Sequence, residues 1–473
     1  MVAHAGLIED LAEERLSAKS LTRLRADWGG DAARLFASVA SQQLRARAKF
    51  GPGVWLATAR SIAQATDRQV ARYKASLFGR SVVFDLCGGI GGDALELARR
   101  GPVVTIDLDP QVSAMAAANL VLDRRAWAES SQVATESAGG AAVAVISADV
   151  TRYPLPPDVS VHIDPDRRPR GFKDSHGNSR RSGKRPKRRQ ASGDEGRTSR
   201  VVSPSLYQPT LSQVADWLPG RPSWIVKLAP AAQLEHEAEA KELFRVGHRQ
   251  WISFDGSVRE QSLLGGSVIA VAGGAPGGRS AVRVYRDSTS CRFAVDAATS
   301  RDLASIDRSV LSVVQPPALI FDFDPAIRAA GLSASFALQQ GWVCLGGPGG
   351  FWGGDALSQD LGLGWVQCYE TLWAGPLDFR RIRERLRLQG LEVQTVKVRG
   401  TDHDPEQVLR QLRESNRRSH RPPRGTDRDP KDGEAESDAA TDRLSRQMTL
   451  LIGRHSQGAY AVIGRRWSST TPR

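Results

Sequence analysis

The sequence predicts a doubly wound α/β fold, preceded by helices and followed by a second α/β region, and three stretches carry that expectation. The first is Val82-Val-Phe-Asp-Leu-Cys-Gly-Gly-Ile-Gly-Gly-Asp93, an apolar run that ends in a carboxylate and turns through glycines. It leads into Ala94-Leu-Glu-Leu-Ala-Arg-Arg100, which has helical spacing. A strand, a tight loop and a helix N-terminus in that order hold a nucleotide-like cofactor in such folds. The second stretch, Val103-Val-Thr-Ile-Asp-Leu-Asp109, is a strand at the distance where these folds set an acid on ribose hydroxyls. The third, Val159-Ser-Val-His-Ile-Asp-Pro-Asp-Arg-Arg168, places Asp164-Pro165 at the carboxyl end of another strand, on the rim where open sheets bind ligands.

Taken in order, residues 1–78 read as helices. Leu7–Leu16 and Ala57–Ala75 carry apolar residues at three- and four-residue intervals, and Phe50-Gly-Pro-Gly53 is a turn between helices. Strands are expected at 81–86, 103–108, 143–148 and 159–164, with helices near 93–100 and 110–123. The Ala- and Ser-rich span 126–140 reads as an exposed connection. Trp224–Ala229 reads as a buried strand stopped by Pro230, while Gln250–Asp255 and Gly266–Ala272 are candidates for a later strand pair. Gly273–Arg279 marks a composition break, so the expected divisions are 1–78, 79–275 and 276–473. Further on, 283–295 and 318–323 read as strands or short elements and Leu391–Gly400 as a clear strand. Asp404-Pro405 caps a helix to Arg413. Met448–Gly453 and Ala459–Gly464 form a closing hairpin. The polar spans 171–202 and 416–441 are expected to be disordered inserts.

A chain of 473 residues suggests about three domains. No run of about 18 apolar residues suggests a membrane span. The N-terminal stretch is acidic where an export signal would be basic, so a cytoplasmic location is expected. Cys87, Cys291, Cys344 and Cys368 are scattered, and the histidines show no ligand spacing, so neither a disulfide framework nor a metal is expected. The net charge of +13 is uneven: between Arg167 and Arg189 eleven Lys or Arg face one acid, Asp174. Such a block commonly meets nucleic acid. Phe172 is its one aromatic residue, so binding there would be to phosphates rather than to stacked bases.

The loop Gly89-Ile-Gly-Gly-Asp-Ala94 also satisfies the dinucleotide pattern G-x-G-x-x-A, so a nicotinamide or flavin enzyme is the competing reading. A carboxylate at the strand end would then face a pyrophosphate. At about 4 Å and an effective dielectric near 20, that repulsion is roughly 4 kcal/mol. S-adenosylmethionine offers an ammonium and a sulfonium instead, which Asp85 attracts. Asp107 suits its ribose, and Asp149, ending the third strand, lies where an adenine amino group would fall.

Together these segments resemble the class I S-adenosylmethionine-dependent methyltransferases. Asp85–Asp93 is similar to their motif I, Ile106–Pro110 to the acidic loop that binds ribose, and Asp164-Pro165 to the catalytic loop. Within the class the chain is similar to the branch near trimethylguanosine synthase, and most to bacterial methyltransferases with a C-terminal THUMP-like domain. Lys49-Phe50, Gln64-Ala-Thr66, Trp224–Pro230, Ile252–Gly256, Asp324-Pro325 and Lys397–Gly400 carry that likeness. The resemblance implies a Rossmann-like methyltransferase sheet with an N-terminal helical region and a C-terminal α/β THUMP-like domain. It implies S-adenosylmethionine held by Asp85, Gly89, Gly91, Gly92, Asp93, Asp107 and Asp149, with Asp164 and Pro165 catalytic. RNA is the expected partner, met by Arg167, Arg168, Lys184, Arg185, Lys187, Arg188, Arg189, Lys397 and Arg399. Two departures stand out. Cys87 occupies a place usually held by glycine, and Asp166-Arg167 stand where a proline and a base-stacking aromatic are usual. An RNA methyltransferase is the leading reading; an NAD(P)-dependent oxidoreductase, a non-catalytic RNA-binding protein and a small-molecule methyltransferase are the alternatives.

Overall fold

The computed structural model describes residues 2–13, 17–130, 142–166, 207–232, 234, 241–299, 315–346, 350–355, 364–419 and 447–467. The basic segment 167–189, the rest of the insert to 202, and residues 420–441 lie outside them. The chain forms two compact units, Met1–Ser300 and Arg301–Arg473.

The first unit opens with five helices: α1 (Ala5–Glu13), α2 (Ala18–Ala40), α3 (Gln43–Phe50), α4 (Ala59–Gln64) and α5 (Arg68–Leu77). The helix expected over 57–75 is therefore two. Thr58 caps α4 in a capping box, and the chain breaks at Ala65-Thr66-Asp67 before α5 begins. The break turns Thr66 inward, where it is buried. These helices share a core with the α/β layer: Phe50, Trp55 and Leu56 pack with Ile90, Leu95 and Met115. Asn119 ties the two by bonding both Leu56 and Ile90.

The α/β layer follows the expected order as far as β4 and then adds elements: β1 (Val83–Leu86), α6 (Gly92–Arg100), β2 (Val103–Asp107), α7 (Pro110–Ser130), β3 (Val143–Ser147), β4 (Ser160–Ile163), α8 (Leu211–Trp217), β5 (Ser223–Leu228), α9 (Lys241–Val246), β6 (His248–Phe254) and β7 (Ser257–Gly266). α10 (Val268–Val271), β8 (Arg279–Val284) and β9 (Ser290–Val295) complete the unit. The sheet order is β3-β2-β1-β4-β5-β7-β6-β8-β9. The first five are parallel, and β7 runs antiparallel to both β5 and β6. The order reverses between β2-β1 and β4-β5, so the ligand crevice lies beyond the carboxyl ends of β1 and β4.

Two expectations are corrected. Gly266–Ala272 is not a strand; β6 pairs with β7, and the chain turns at Gly266 (φ +68°) into α10, whose Val268 and Ile269 join the core. The true strand was hidden because its buried middle is polar: Glu260, Gln261 and Ser262. Nor does Gly273–Arg279 end the compact unit. β8 runs parallel to β6 in the same sheet, so the glycines form a surface connection and the unit extends to Ser300.

The second unit is a seven-stranded sheet of order β11-β12-β10-β13-β16-β15-β14. Its strands are β10 (Leu319–Phe323), β11 (Val343–Leu345), β12 (Phe351–Gly354), β13 (Val366–Pro376), β14 (Glu392–Val398), β15 (Gln447–His455) and β16 (Gly458–Arg466). β15 and β16 form the expected antiparallel hairpin. Helices Phe379–Leu388 and Pro405–Ser419 set Ile382, Leu386, Val408 and Leu412 against β14–β16. The second helix runs through 416–419, which the sequence assigned to the following insert.

Candidate functional site

The glycine loop leaves β1 at the crevice, and strand register decides what lies beneath it. Asp85 on β1 sits opposite Thr105 on β2 and His162 on β4. Accordingly Thr105 Oγ1 donates to Asp85 Oδ2 at 3.1 Å, and His162 Nδ1 lies 2.7 Å from Asp85 Oδ1. Lys74 Nζ, from α5, lies 3.2 Å from His162 Nε2. An ammonium can only donate, so Nε2 accepts and the His162 proton is on Nδ1, directed at Asp85. Asp85 is fully buried and both its oxygens are engaged. It therefore lies enclosed beneath the loop rather than open to the crevice. Burial pushes its carboxyl up, against the His162 hydrogen bond.

Lys74 is the centre of this buried layer. Its Nζ also lies 2.8 Å from Asp93 Oδ1 and 3.1 Å from Glu260 Oε1. Burial works against both ions of the first pair. The two carboxylates nevertheless hold Lys74 above its ordinary value, and Lys74 holds Asp93 well below the carboxylate range. Asp93 Oδ2 accepts from Thr66 Oγ1 at 2.6 Å, and Lys227 Nζ reaches Thr66 Oγ1 at 3.0 Å and Asp164 Oδ2 at 2.6 Å. Asp164 and Asp93 are thus brought into one chain of contacts. Four carboxylates (Asp85, Asp93, Asp164 and Glu260) meet two ammonium groups there, so with the acids ionised two negative charges stay uncompensated within the cluster. Among these residues Lys74, Lys227, His162, Glu260, Thr66 and Thr105 were not among the site residues read from the sequence. A lysine in an amphipathic helix and a glutamate in a polar strand give no signal until the sheet pairs them.

The loop itself is tightly constrained. A Cβ on Gly88 would lie 2.0 Å from Thr105 Oγ1 and 2.7 Å from Asp85 Oδ2. Cys87 takes φ +56°, the left-handed region, so the non-glycine residue stands where glycine suits the backbone. Its thiol is pushed well above 9.0, first by burial and then by the carboxylates of Asp107, Asp164, Asp85 and Asp166. These four acids converge on the loop. Gly91 caps α6 and Gly92 begins it, with Asp93 in the first turn. Gly89 N–H donates to Asp107 Oδ2 at 3.0 Å, and Asp109 N–H to Asp107 Oδ1 at 2.9 Å. Each oxygen keeps a further lone pair for a ligand. Burial raises the Asp107 carboxyl above 3.8.

Pro165 is buried beside Asp164. Asp166 Oδ1 accepts from Gln64 at 3.1 Å and Oδ2 from Arg60 at 3.3 Å, so α4 reaches the segment that follows β4. Asp149 is not drawn into the cluster. It folds an exposed turn with Thr151, which holds its carboxyl low. Arg167, Arg168, Lys184, Arg185, Lys187, Arg188 and Arg189 lie outside the described residues. Lys397 and Arg399, expected to meet RNA, instead clamp the buried Asp322 of the second unit: Lys397 Nζ lies 2.7 Å from Oδ2 and Arg399 Nη2 2.8 Å from Oδ1. That carboxylate engages both side chains. Among the described residues no helix is long and apolar enough to cross a membrane, and no three His, Cys, Asp or Glu are grouped to hold a metal.

A parallel sheet whose seventh strand is reversed between the fifth and sixth, with a glycine loop after the first, has the fold of the class I methyltransferases. The purely parallel dinucleotide order lacks that reversed strand. An uncharacterized S-adenosylmethionine-dependent methyltransferase of Mycobacterium tuberculosis, strains CDC 1551 and H37Rv, is 27% identical over 366 residues, spanning 77% of this chain and 82% of the relative. A crystal structure of a candidate methyltransferase from Porphyromonas gingivalis W83 superposes with a TM-score of 0.65 at 17% identity, covering 98% of each chain. No protein-family model matches the chain.

Proposed function

We propose that this protein is an S-adenosylmethionine-dependent methyltransferase that acts on RNA, transferring the methyl group in line to a nitrogen of a base. The observation that carries the cofactor reading is electrostatic. Four carboxylates converge on the glycine loop, over a buried cluster that is short of positive charge. That environment suits a cationic ligand and disfavours a pyrophosphate. Asp107, with lone pairs to spare, would take the ribose hydroxyls, and Leu108, 71% exposed beside it, offers an apolar face to the adenine.

When bound, S-adenosylmethionine supplies a methyl group whose carbon–sulfur bond breaks with its electron pair leaving on sulfur. Asp164 accepts a hydrogen of the acceptor nitrogen, aims its lone pair, and takes the proton released as the nitrogen–carbon bond forms. Pro165 stiffens the loop that presents it. Such positioning can lower the barrier by about 7–11 kcal/mol. The RNA reading rests on the basic segment, which begins at Arg167, directly after Asp166, and carries eleven Lys or Arg up to Arg189. The likeness to the trimethylguanosine synthase branch and to THUMP-like proteins supports the same acceptor.

The test is incubation with methyl-labelled S-adenosylmethionine and total RNA, alongside calorimetry with S-adenosylmethionine and NAD(P). Label in RNA and cofactor binding are expected. Binding of NAD(P) without S-adenosylmethionine would overturn the cofactor reading, and transfer only to small molecules would overturn the acceptor.

A further inference from the structure

We propose that Lys227 is a positioning residue for methyl transfer. It fixes one oxygen of Asp164 so that the other faces the methyl acceptor, and Thr66 and Asp93 hold Lys227 in turn. The inference rests on the proposed role of Asp164. Lys227 lies on β5, next to β4 in the sheet, and its ammonium is buried 2.6 Å from Asp164 Oδ2. Asp164 itself is part exposed at the crevice. A carboxylate on a loop after a strand turns freely about its side-chain bonds unless one oxygen is anchored. A buried charge-assisted contact of this length is such an anchor.

The anchor is itself held. Thr66 Oγ1 accepts from Lys227 and donates to Asp93 Oδ2, and Asp93 sits in the first turn of the helix that the glycine loop opens. The acceptor-side acid and the cofactor loop are therefore joined through Lys227, Thr66 and Asp93. Thr66 enters from the break between α4 and α5, so the N-terminal helices complete the site. Lys49, Lys74 and the Cys87 thiol also feel the Asp164 charge. Lys49 gives a hydrogen bond to the Ile62 carbonyl and Lys74 pairs with Asp93 and Glu260, which leaves the anchoring to Lys227.

A ligand pair separates anchoring from simple charge without knowledge of the acceptor. S-adenosylhomocysteine has no group at the methyl position, whereas sinefungin places an ammonium there. The ratio of their affinities reads whether Asp164 presents its free oxygen. If Lys227 were only a nearby positive charge, Lys227→Met would strengthen sinefungin binding relative to S-adenosylhomocysteine. If Lys227 positions Asp164, the sinefungin preference should fall by about tenfold, the equivalent of one lost charge-assisted hydrogen bond. S-adenosylhomocysteine affinity should stay within about threefold, and Lys227→Arg should restore most of the preference. Thr66→Val alters no charge, and should lower the preference by roughly threefold even if Lys227→Met fails to fold. A preference that is unchanged or raised in folded Lys227→Met, or unchanged in Thr66→Val, would overturn the proposal. Failure of the wild-type chain to bind either ligand would overturn the cofactor reading and this inference with it, whereas absence of RNA methylation alone would leave the ligand ratio to decide.

Discussion

Asp107 and Cys87 show how single residues set the cofactor loop. Asp107 accepts from Gly89 and Asp109, and burial raises its carboxyl above 3.8. As the proposed ribose acceptor it must be ionised. S-adenosylmethionine affinity should thus be level near neutral pH and fall on acidification, starting above 3.8. Asp107→Asn should flatten that dependence, and Asp107→Ala should weaken binding at least about tenfold in a folded protein. Calorimetry across pH reads both, and undiminished affinity in Asp107→Ala removes the assignment. At Cys87 the left-handed backbone costs a non-glycine residue about 1–2 kcal/mol, while glycine forfeits about 0.5–1 kcal/mol of chain entropy. Cys87→Gly should therefore change stability by no more than about 1 kcal/mol and keep cofactor binding. The next residue contrasts with it: Gly88→Ala drives a methyl group toward Thr105 Oγ1 and should cost more, together with affinity. Equal losses at the two positions in urea denaturation would contradict this account.

At the scale of elements, the strand–loop–helix of β1 and α6 and the acids ending β2 and β4 were legible because periodicity and glycine placement are local properties. The buried layer beneath them was not. Lys74 lies on α5, His162 on β4 and Glu260 on β7, and only the packing of that helix against the assembled sheet brings them together. The polar middle of β7 left a central strand unread in the sequence, since its Glu260 is compensated by a lysine far away in sequence. The ion pairs of Lys397 and Arg399 were hidden for the same reason, their partner Asp322 being distant in sequence. Breaking such a buried pair leaves charges uncompensated, so Lys74→Met should destabilise the protein by about 3–5 kcal/mol. The pH dependence follows from the two shifts. Asp93 is held below 3.8, so its contribution is complete above that value and lost as pH falls through the folded one. Lys74 is held above 10.5, so its contribution is complete below that value and lost as pH rises through the folded one. The stability gap between wild type and Lys74→Met should be level between 3.8 and 10.5 and shrink outside. Denaturation curves across pH measure it, and a gap under about 1 kcal/mol at neutral pH would show that the cluster is not stabilising.

For the whole molecule, charge distribution is the property that bears on the partner. Of the net charge of +13, +10 falls between Arg167 and Arg189, so little excess is left for phosphate elsewhere. The segment follows Asp164-Pro165-Asp166 directly in the chain. Residues 174–200 show no apolar periodicity, so their deletion should leave the fold and cofactor affinity intact. Not all the cations can meet phosphates at once. If about four of those deleted do, the log–log salt slope for single-stranded RNA should shrink by roughly 0.7 per contact, near three units in all. Affinity at low salt should drop with it, while binding at high salt, where counterion release contributes little, should converge on wild type. Filter binding over a salt series measures both. A slope unchanged by the deletion would assign the segment to solubility and move the search for RNA contacts to other surfaces of the chain.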